Sequence, residues 1–284
     1  MPEVTDIEIS KNVQFGVHDG DVLTGDFYAP SGAGPYPALI ALHGGFWKRG
    51  AAEGYQYWGP YLAQRGYVLF AINYRLVDGT KNRYPAAVHD TRAAVQFLRS
   101  KAAELKIDPD RIGCIGDSAG AHLAALVALT AHTPPFSAAY ANDSYAGVST
   151  NIKVVVGVYG AYDLLAQWQH DQVARPRDHV TEIWLGKSPM ESKLLFYEAS
   201  PLTYTTIDNK HTAFLVVWGT EDDVVDPGSQ SQRFVTALKQ AGFYVRTVIV
   251  PGAPHYWMWD AIDEPTSYTA FLAPRLLRFL ESQL

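Results

Sequence analysis

RIGCIGDSAGAHLAALVALT, residues 111–130, is the stretch on which the fold turns. Its opening RIGCIG is a short apolar run suited to a buried strand, and from Ser118 to about Thr130 the residues suit a helix. The junction reads Gly116-Asp-Ser-Ala-Gly120, a G-x-S-x-G pattern. A strand-to-helix turn this sharp strains the serine backbone and brings neighbouring chain very close. Glycine two residues before and two after removes the Cβ atoms that would collide. The product is a hydroxyl held clear of the sheet at a helix N-terminus, where the dipole favours developing negative charge. A plain turn with Ser118 as N-cap is the simpler reading. Placement between strand and helix favours the nucleophile.

Outward from this junction, short apolar runs alternate with helical patterns. Residues 13–18 and 22–29 alternate around HDGD and predict an N-terminal hairpin. PALIALHGG (37–45) and GYVLFAINYRL (66–76) are nearly continuous apolar runs, as in strands covered on both faces. Between them EGYQYWGPYLAQRG suits a helix ending at Gly66. Val88, Val95, Leu98, Ala102 and Leu105 follow helical steps after Pro85, and IDPD stops that helix. NIKVVVGVYGA (151–161), AFLVVWGT (213–220) and VRTVIVPG (245–252) read as further strands. A helix over 229–241 with Gly242 as its stop lies between the last two, and a closing helical segment is broken or kinked at Pro274. The alternation predicts an α/β fold: one domain over 1–284 with a mostly parallel sheet and helices on both faces. The polar, aromatic stretch 163–200 reads as a small cap-like insertion over the carboxyl edge of the sheet.

Composition narrows the function. With 284 residues, 48% hydrophobic and 18% charged, the chain can bury a large core. A net charge of −6 and the lack of a long basic run argue against nucleic acid or an anionic membrane surface as partner. Cys114 is the single cysteine, so neither an intrachain disulfide nor a multi-thiolate metal site is available. The start MPEVTDIEIS has no apolar h-region, and no apolar run is long enough to span a membrane. Unless a leader was removed upstream, the expectation is a cytoplasmic protein, with no metal or organic cofactor. The oligomeric state is left open, a homodimer being one option.

Ligand chemistry in open α/β sheets belongs at the carboxyl ends of strands. Ser118, Asp222, His255 and the glycines at 44 and 45 all fall just past an apolar run. A serine hydroxyl needs a base and an orienting carboxylate to attack at neutral pH. In this strand-turn-helix context the chain order is serine, acid, histidine. That selects His255, on the Gly/Pro-rich loop VPGAPHYW, from nine histidines. GTEDDVVDP supplies the acid, with Asp222 chosen and Asp223 its main competitor. LHGGFW (42–47) offers backbone amides at Gly44 and Gly45 for an oxyanion, with the Ala119 amide beside them. His43 is expected to fix this loop by hydrogen bonding. Phe46, Trp47, Tyr159, Tyr162, Trp168, Trp257 and Trp259 lie in segments near these groups. Phe46, Trp47, Asp117, Tyr159 and Trp257 are the substrate-binding candidates.

HGGFW, GDSAGAHLA, GTEDDVV and GAPH, in this order, resemble the α/β-hydrolase esterases. The likeness is greatest to the hormone-sensitive-lipase-like group and to the acetyl/feruloyl esterase-like BD-FAE type. YPAAVHDTRAAVQFLRSKAAELKIDPDRIGCIGDSAG and ASPLTY are especially similar to the latter. The resemblance runs from about residue 20 to 260 and implies nucleophile Ser118, acid Asp222, base His255 and oxyanion glycines Gly44 and Gly45. It implies a serine carboxylesterase acting on short-chain or aryl esters of a small molecule. HGG-x-W, ending in Trp47, also resembles the arylformamidases that cleave N-formylkynurenine, although Asp117 precedes the serine here. A formamide hydrolase is therefore the alternative, and a non-catalytic binding protein on a hydrolase scaffold a remote one. DDVVDP departs from relatives that carry proline soon after the acid, which leaves Asp222 and Asp223 both open.

Overall fold

The computed structural model describes residues 6–284. The first five residues, on which the reading of no secretory leader partly rests, lie outside the described residues. Along the chain come β1 (Ile7–His18), β2 (Asp21–Pro30), β3 (Tyr36–Leu42), α1 (Trp58–Ala63), β4 (Val68–Asn73), α2 (Ala86–Ser100), β5 (Ile107–Asp117) and α3 (Ala119–Leu129). There follow β6 (Val154–Val158), α4 (Leu164–Ala174), α5 (Val180–Leu185), α6 (Lys193–Glu198), β7 (Ala213–Gly219), α7 (Arg233–Gln240), β8 (Val245–Val250) and α8 (Tyr268–Gln283). The strands form one sheet in the order β1-β2-β4-β3-β5-β6-β7-β8. The β1–β2 and β2–β4 pairs are antiparallel and every later pair is parallel.

Both faces of the middle of this sheet are buried, which explains why the central strands are apolar without alternation. Ala38, Ile40 and Leu42 of β3 meet Val95 and Leu98 of α2 and Leu123 of α3 on one side. Leu39 and Ala41 meet Trp58 and Leu62 of α1 and Leu276 and Leu280 of α8 on the other. The period of two along a strand sorts neighbouring residues into opposite layers. Each of these fully buried leucine, isoleucine and valine side chains contributes roughly 1.5–3 kcal/mol relative to exposure. All residues of α3 are buried, so the helix that follows the G-x-S-x-G turn is pinned in the middle of the molecule.

Several boundaries differ from the sequence reading. The helix expected to run to residue 105 ends at Ser100, and β5 already begins at Ile107. IDPD is accommodated as an irregularity in the β3–β5 pairing between Tyr36 and Ala38. The helix expected over 229–241 opens as a wide π turn, Gly228–Gln232, before α7. Gly242, at φ +81°, ends it as expected. Pro274 sits inside a continuous α8 and does not break it. Its missing N–H costs one backbone bond, offset by burial of Leu272, Ala273, Leu276, Phe279 and Leu280. The stretch 163–200 carries α4, α5 and α6 and no strand. Among the described residues no helix is long and apolar enough to cross a membrane.

Candidate active site

Ser118 occupies the turn between β5 and α3 at φ 51°, ψ −117°, a conformation costly for a residue with a side chain. The close packing of the turn excludes other residues at the flanking glycines. A Cβ on Gly116 would meet the Gly120 carbonyl carbon at 2.4 Å, and one on Gly120 would meet the Leu42 carbonyl oxygen at 1.8 Å. The Ser118 amide donates to the Val158 carbonyl at 2.9 Å, which ties the turn to the end of β6.

Three loops at the carboxyl ends of β5, β7 and β8 converge here. Ser118 Oγ lies 3.0 Å from His255 Nε2, and His255 Nδ1 lies 2.7 Å from Asp222 Oδ2. A carboxylate only accepts, so Nδ1 carries the proton and Nε2 is left to accept from the serine hydroxyl. The second oxygen of Asp222 accepts from the Val224 and Val225 amides at 3.0 and 2.9 Å. Imidazole and carboxylate side chains are 1% and 0% exposed, so water does not compete for this pair. Of the two carboxylates left open by the sequence, Asp222 is the one that reaches His255. Asp223 is exposed and offers only its backbone carbonyl, which accepts from His170 Nε2 at 2.9 Å.

The loop 42–47 departs from the sequence reading at one position. The Gly44 amide, expected to face the substrate oxygen, donates to Asp117 Oδ1 at 3.1 Å. The next two amides, Gly45 at φ +115° and Phe46 at φ +59°, have no hydrogen-bond partner among the described residues, and neither does that of Ala119. Only glycine takes the Gly45 conformation without strain, and a Cβ there would meet the Arg49 carbonyl oxygen at 2.2 Å. His43 holds the loop as expected: Nδ1 donates to the Gly44 carbonyl at 2.8 Å and the ring stacks on Tyr74 at 4.2 Å. Burial pushes its pKa down to about 4, so the ring is neutral at physiological pH.

Three substrate-binding candidates act elsewhere. Asp117 is 4% exposed and lies behind the loop that carries Gly44 and Gly45, where Oδ1 also accepts from Tyr55 Oη at 3.1 Å and Trp259 Nε1 at 3.3 Å. Desolvation raises its pKa to about 6 against those three donors. Tyr159 packs its ring 4.4 Å from His255, with its hydroxyl accepting from the Met258 amide at 2.9 Å. Trp257 packs behind Tyr159 at 5.3 Å and is itself buried. Both aromatics back the imidazole; their rings are large and apolar, so the interior captures them. Phe46 and Trp47, by contrast, line a cavity next to Ser118 and Ala119.

That cavity is small, about 10 Å³, room for roughly one water-sized group. A larger surface cavity of about 540 Å³ lies far from these groups, between β1, α2 and residues 142–145. Residues to which the sequence reading gave no site role complete the site. Tyr55 and Trp259 hold Asp117, and His122 bridges Trp47 Nε1 at 3.2 Å and the Ala199 carbonyl at 2.7 Å. Gln167 of α4 also lines the cavity. Nothing in local periodicity marks these residues, because each contact joins distant parts of the chain.

A family model described as BD-FAE matches residues 26–238, three quarters of the chain. The chain belongs to the BD-FAE family. Among similar curated proteins, Esterase LipC of Mycobacterium tuberculosis is 32% identical over 78% of this chain. A probable isoprenylcysteine alpha-carbonyl methylesterase of Arabidopsis thaliana, ICMEL1, is 29% identical over 81% of it. These alignments cover 53% and 48% of the two relatives, so the chain spans about half the length of the curated relatives it matches. Among solved structures, Thermogutta terrifontis esterase 2 superposes with a TM-score of 0.77 at 23% identity, covering 99% of this chain and 96% of that one. An acetyl ester-xyloside bifunctional hydrolase of Caldicellulosiruptor lactoaceticus gives a TM-score of 0.73 at 23% identity, covering 92% and 87%. At that identity the likeness establishes the fold, an α/β-hydrolase sheet with helices around it.

Proposed function

We propose that this member of the BD-FAE family is a serine carboxylesterase that cleaves esters of short acyl groups through a covalent acyl-enzyme. The observation that carries the reading is the buried line Ser118–His255–Asp222, with contacts of 3.0 and 2.7 Å contributed by three separate strand ends. Relatives named as esterases support the reaction class.

Ser118 Oγ forms a bond to the ester carbonyl carbon while its proton passes to His255 Nε2, and the carbonyl electron pair moves onto oxygen. Asp222 keeps the ring oriented and balances its positive charge. The amides of Gly45, Phe46 and Ala119 stabilise the oxyanion. Collapse of this intermediate expels the alcohol, which takes the proton from His255. Water then adds to the acyl-enzyme, gives its proton to His255 and releases the carboxylic acid as Ser118 regains its hydrogen. A cavity with room for about one small group beside Ser118 favours acetyl over feruloyl as the acyl group.

Hydrolysis of p-nitrophenyl acetate by the purified chain, compared with its Ser118→Ala variant, tests the reading. The variant should lose about 10⁴- to 10⁶-fold in kcat with an unchanged melting temperature. Turnover close to wild type by Ser118→Ala would overturn it.

A further inference from the structure

Gln167 is 3% exposed and lies on α4, one turn after the Asp163 side chain caps the helix by accepting from the Ala166 amide at 3.0 Å. The Gln167 side-chain nitrogen contacts Asp171 Oδ1 and the Val224 carbonyl, each at 2.9 Å. Both partners are pure acceptors, so that atom must be the NH₂ group, and the amide cannot be flipped. The carboxamide oxygen is thereby turned away from both. It is buried and has no partner among the described residues. Gln167 is also the polar member of the cavity beside Ser118, whose other walls include Phe46, Trp47, Val180 and Val225. An orphaned buried acceptor costs free energy unless something supplies a donor.

The cavity belongs to the acyl side of the site. The leaving alcohol must sit by His255 to receive its proton. His255 does not line the cavity, whereas Ser118 and Ala119, the nucleophile and an oxyanion amide, do. We infer that Gln167 Oε1 is a specificity determinant that accepts a hydrogen bond from an acyl group bearing a hydroxyl on the carbon next to the carbonyl. Esters of α-hydroxy acids such as glycolate then fit this pocket better than simple acyl esters of the same size. The inference rests on the acyl-transfer reading above, and it adds the class of acyl group. A glycolyl group carries one oxygen more than acetyl, and propionyl is its apolar counterpart of the same size.

The test measures kcat/KM for glycolate and propionate esters of one alcohol, in wild type and in Gln167→Leu. Intrinsic reactivity of the two esters cancels in the ratio of ratios. Loosening of the acid loop, which Gln167 also contacts through Val224, lowers both substrates alike and cancels too. The expected result is a wild-type preference for glycolate and a drop of about 10-fold in the glycolate-to-propionate ratio on substitution. A ratio unmoved by Gln167→Leu overturns the inference. If the variant does not fold, wild type alone decides: a glycolate preference no greater than the ratio of the alkaline hydrolysis rates of the two esters overturns it. Failure of wild type to cleave either ester or to react with a fluorophosphonate instead sinks the esterase reading itself.

Discussion

Asp117 offers a quantitative check on the packing behind the loop that carries Gly44 and Gly45. Its carboxyl is fully enclosed, and burial raises its pKa from an ordinary 3.8 to about 6 despite donors from Gly44, Tyr55 and Trp259. The folded protein therefore keeps this proton to a higher pH than the unfolded chain does. Between pH 3.8 and about 6 unfolding releases a proton, so stability falls as pH rises through that window and is flat on either side. The gap of roughly two pH units corresponds to about 3 kcal/mol, greatest stability lying on the acid side. Asp117→Asn keeps an oxygen for the three donors and removes the ionisation. Urea unfolding of wild type and Asp117→Asn at pH 4 and at pH 7.5 isolates the effect, because the other titrating groups cancel in the difference. The variant should gain roughly 2.4 kcal/mol on wild type between the two values, because at pH 4 the unfolded carboxyl is already partly ionised. A difference that stays constant with pH would refute the claim that desolvation outweighs the three hydrogen bonds.

Other side chains of the same structure carry further expected outcomes. Asp222→Asn should lower kcat on p-nitrophenyl acetate by roughly 10⁴-fold, because the asparagine stabilises the wrong histidine tautomer. Asp223→Asn, at an exposed carboxylate, should stay within about 3-fold, and the reverse ranking would reassign the acid. Arg75→Ala should cost about 3–5 kcal/mol in chemical denaturation. Arg75 donates to both oxygens of Asp90 at 2.9 to 3.1 Å, and Asp90 is fully buried, so its loss leaves a carboxylate held mainly by His18 at 2.7 Å. A loss below about 1 kcal/mol would show that His18 and the Arg75 backbone amide suffice for that charge.

Strand and helix order, the parallel sheet and the tight serine turn were legible in the amino-acid order because each rests on neighbours in sequence. Apolar runs report burial on both faces, and G-x-S-x-G reports a steric conflict among residues within two positions of Ser118. The placement of His255 and Asp222 at strand ends was legible for the same reason. Which of two adjacent carboxylates reaches the imidazole was not, since it depends on the turn that Val224 and Val225 make around Asp222. The tertiary structure alone took the Gly44 amide out of the set of available donors, because Asp117 claims it from 73 positions away. It also turned Tyr159 and Trp257 behind the histidine, where apolar rings find an interior, and set Gln167 beside the nucleophile. Periodicity tells a residue whether it is inside. Which atom inside it meets is settled by long-range packing, as with Trp259 reaching Asp117 across 142 positions.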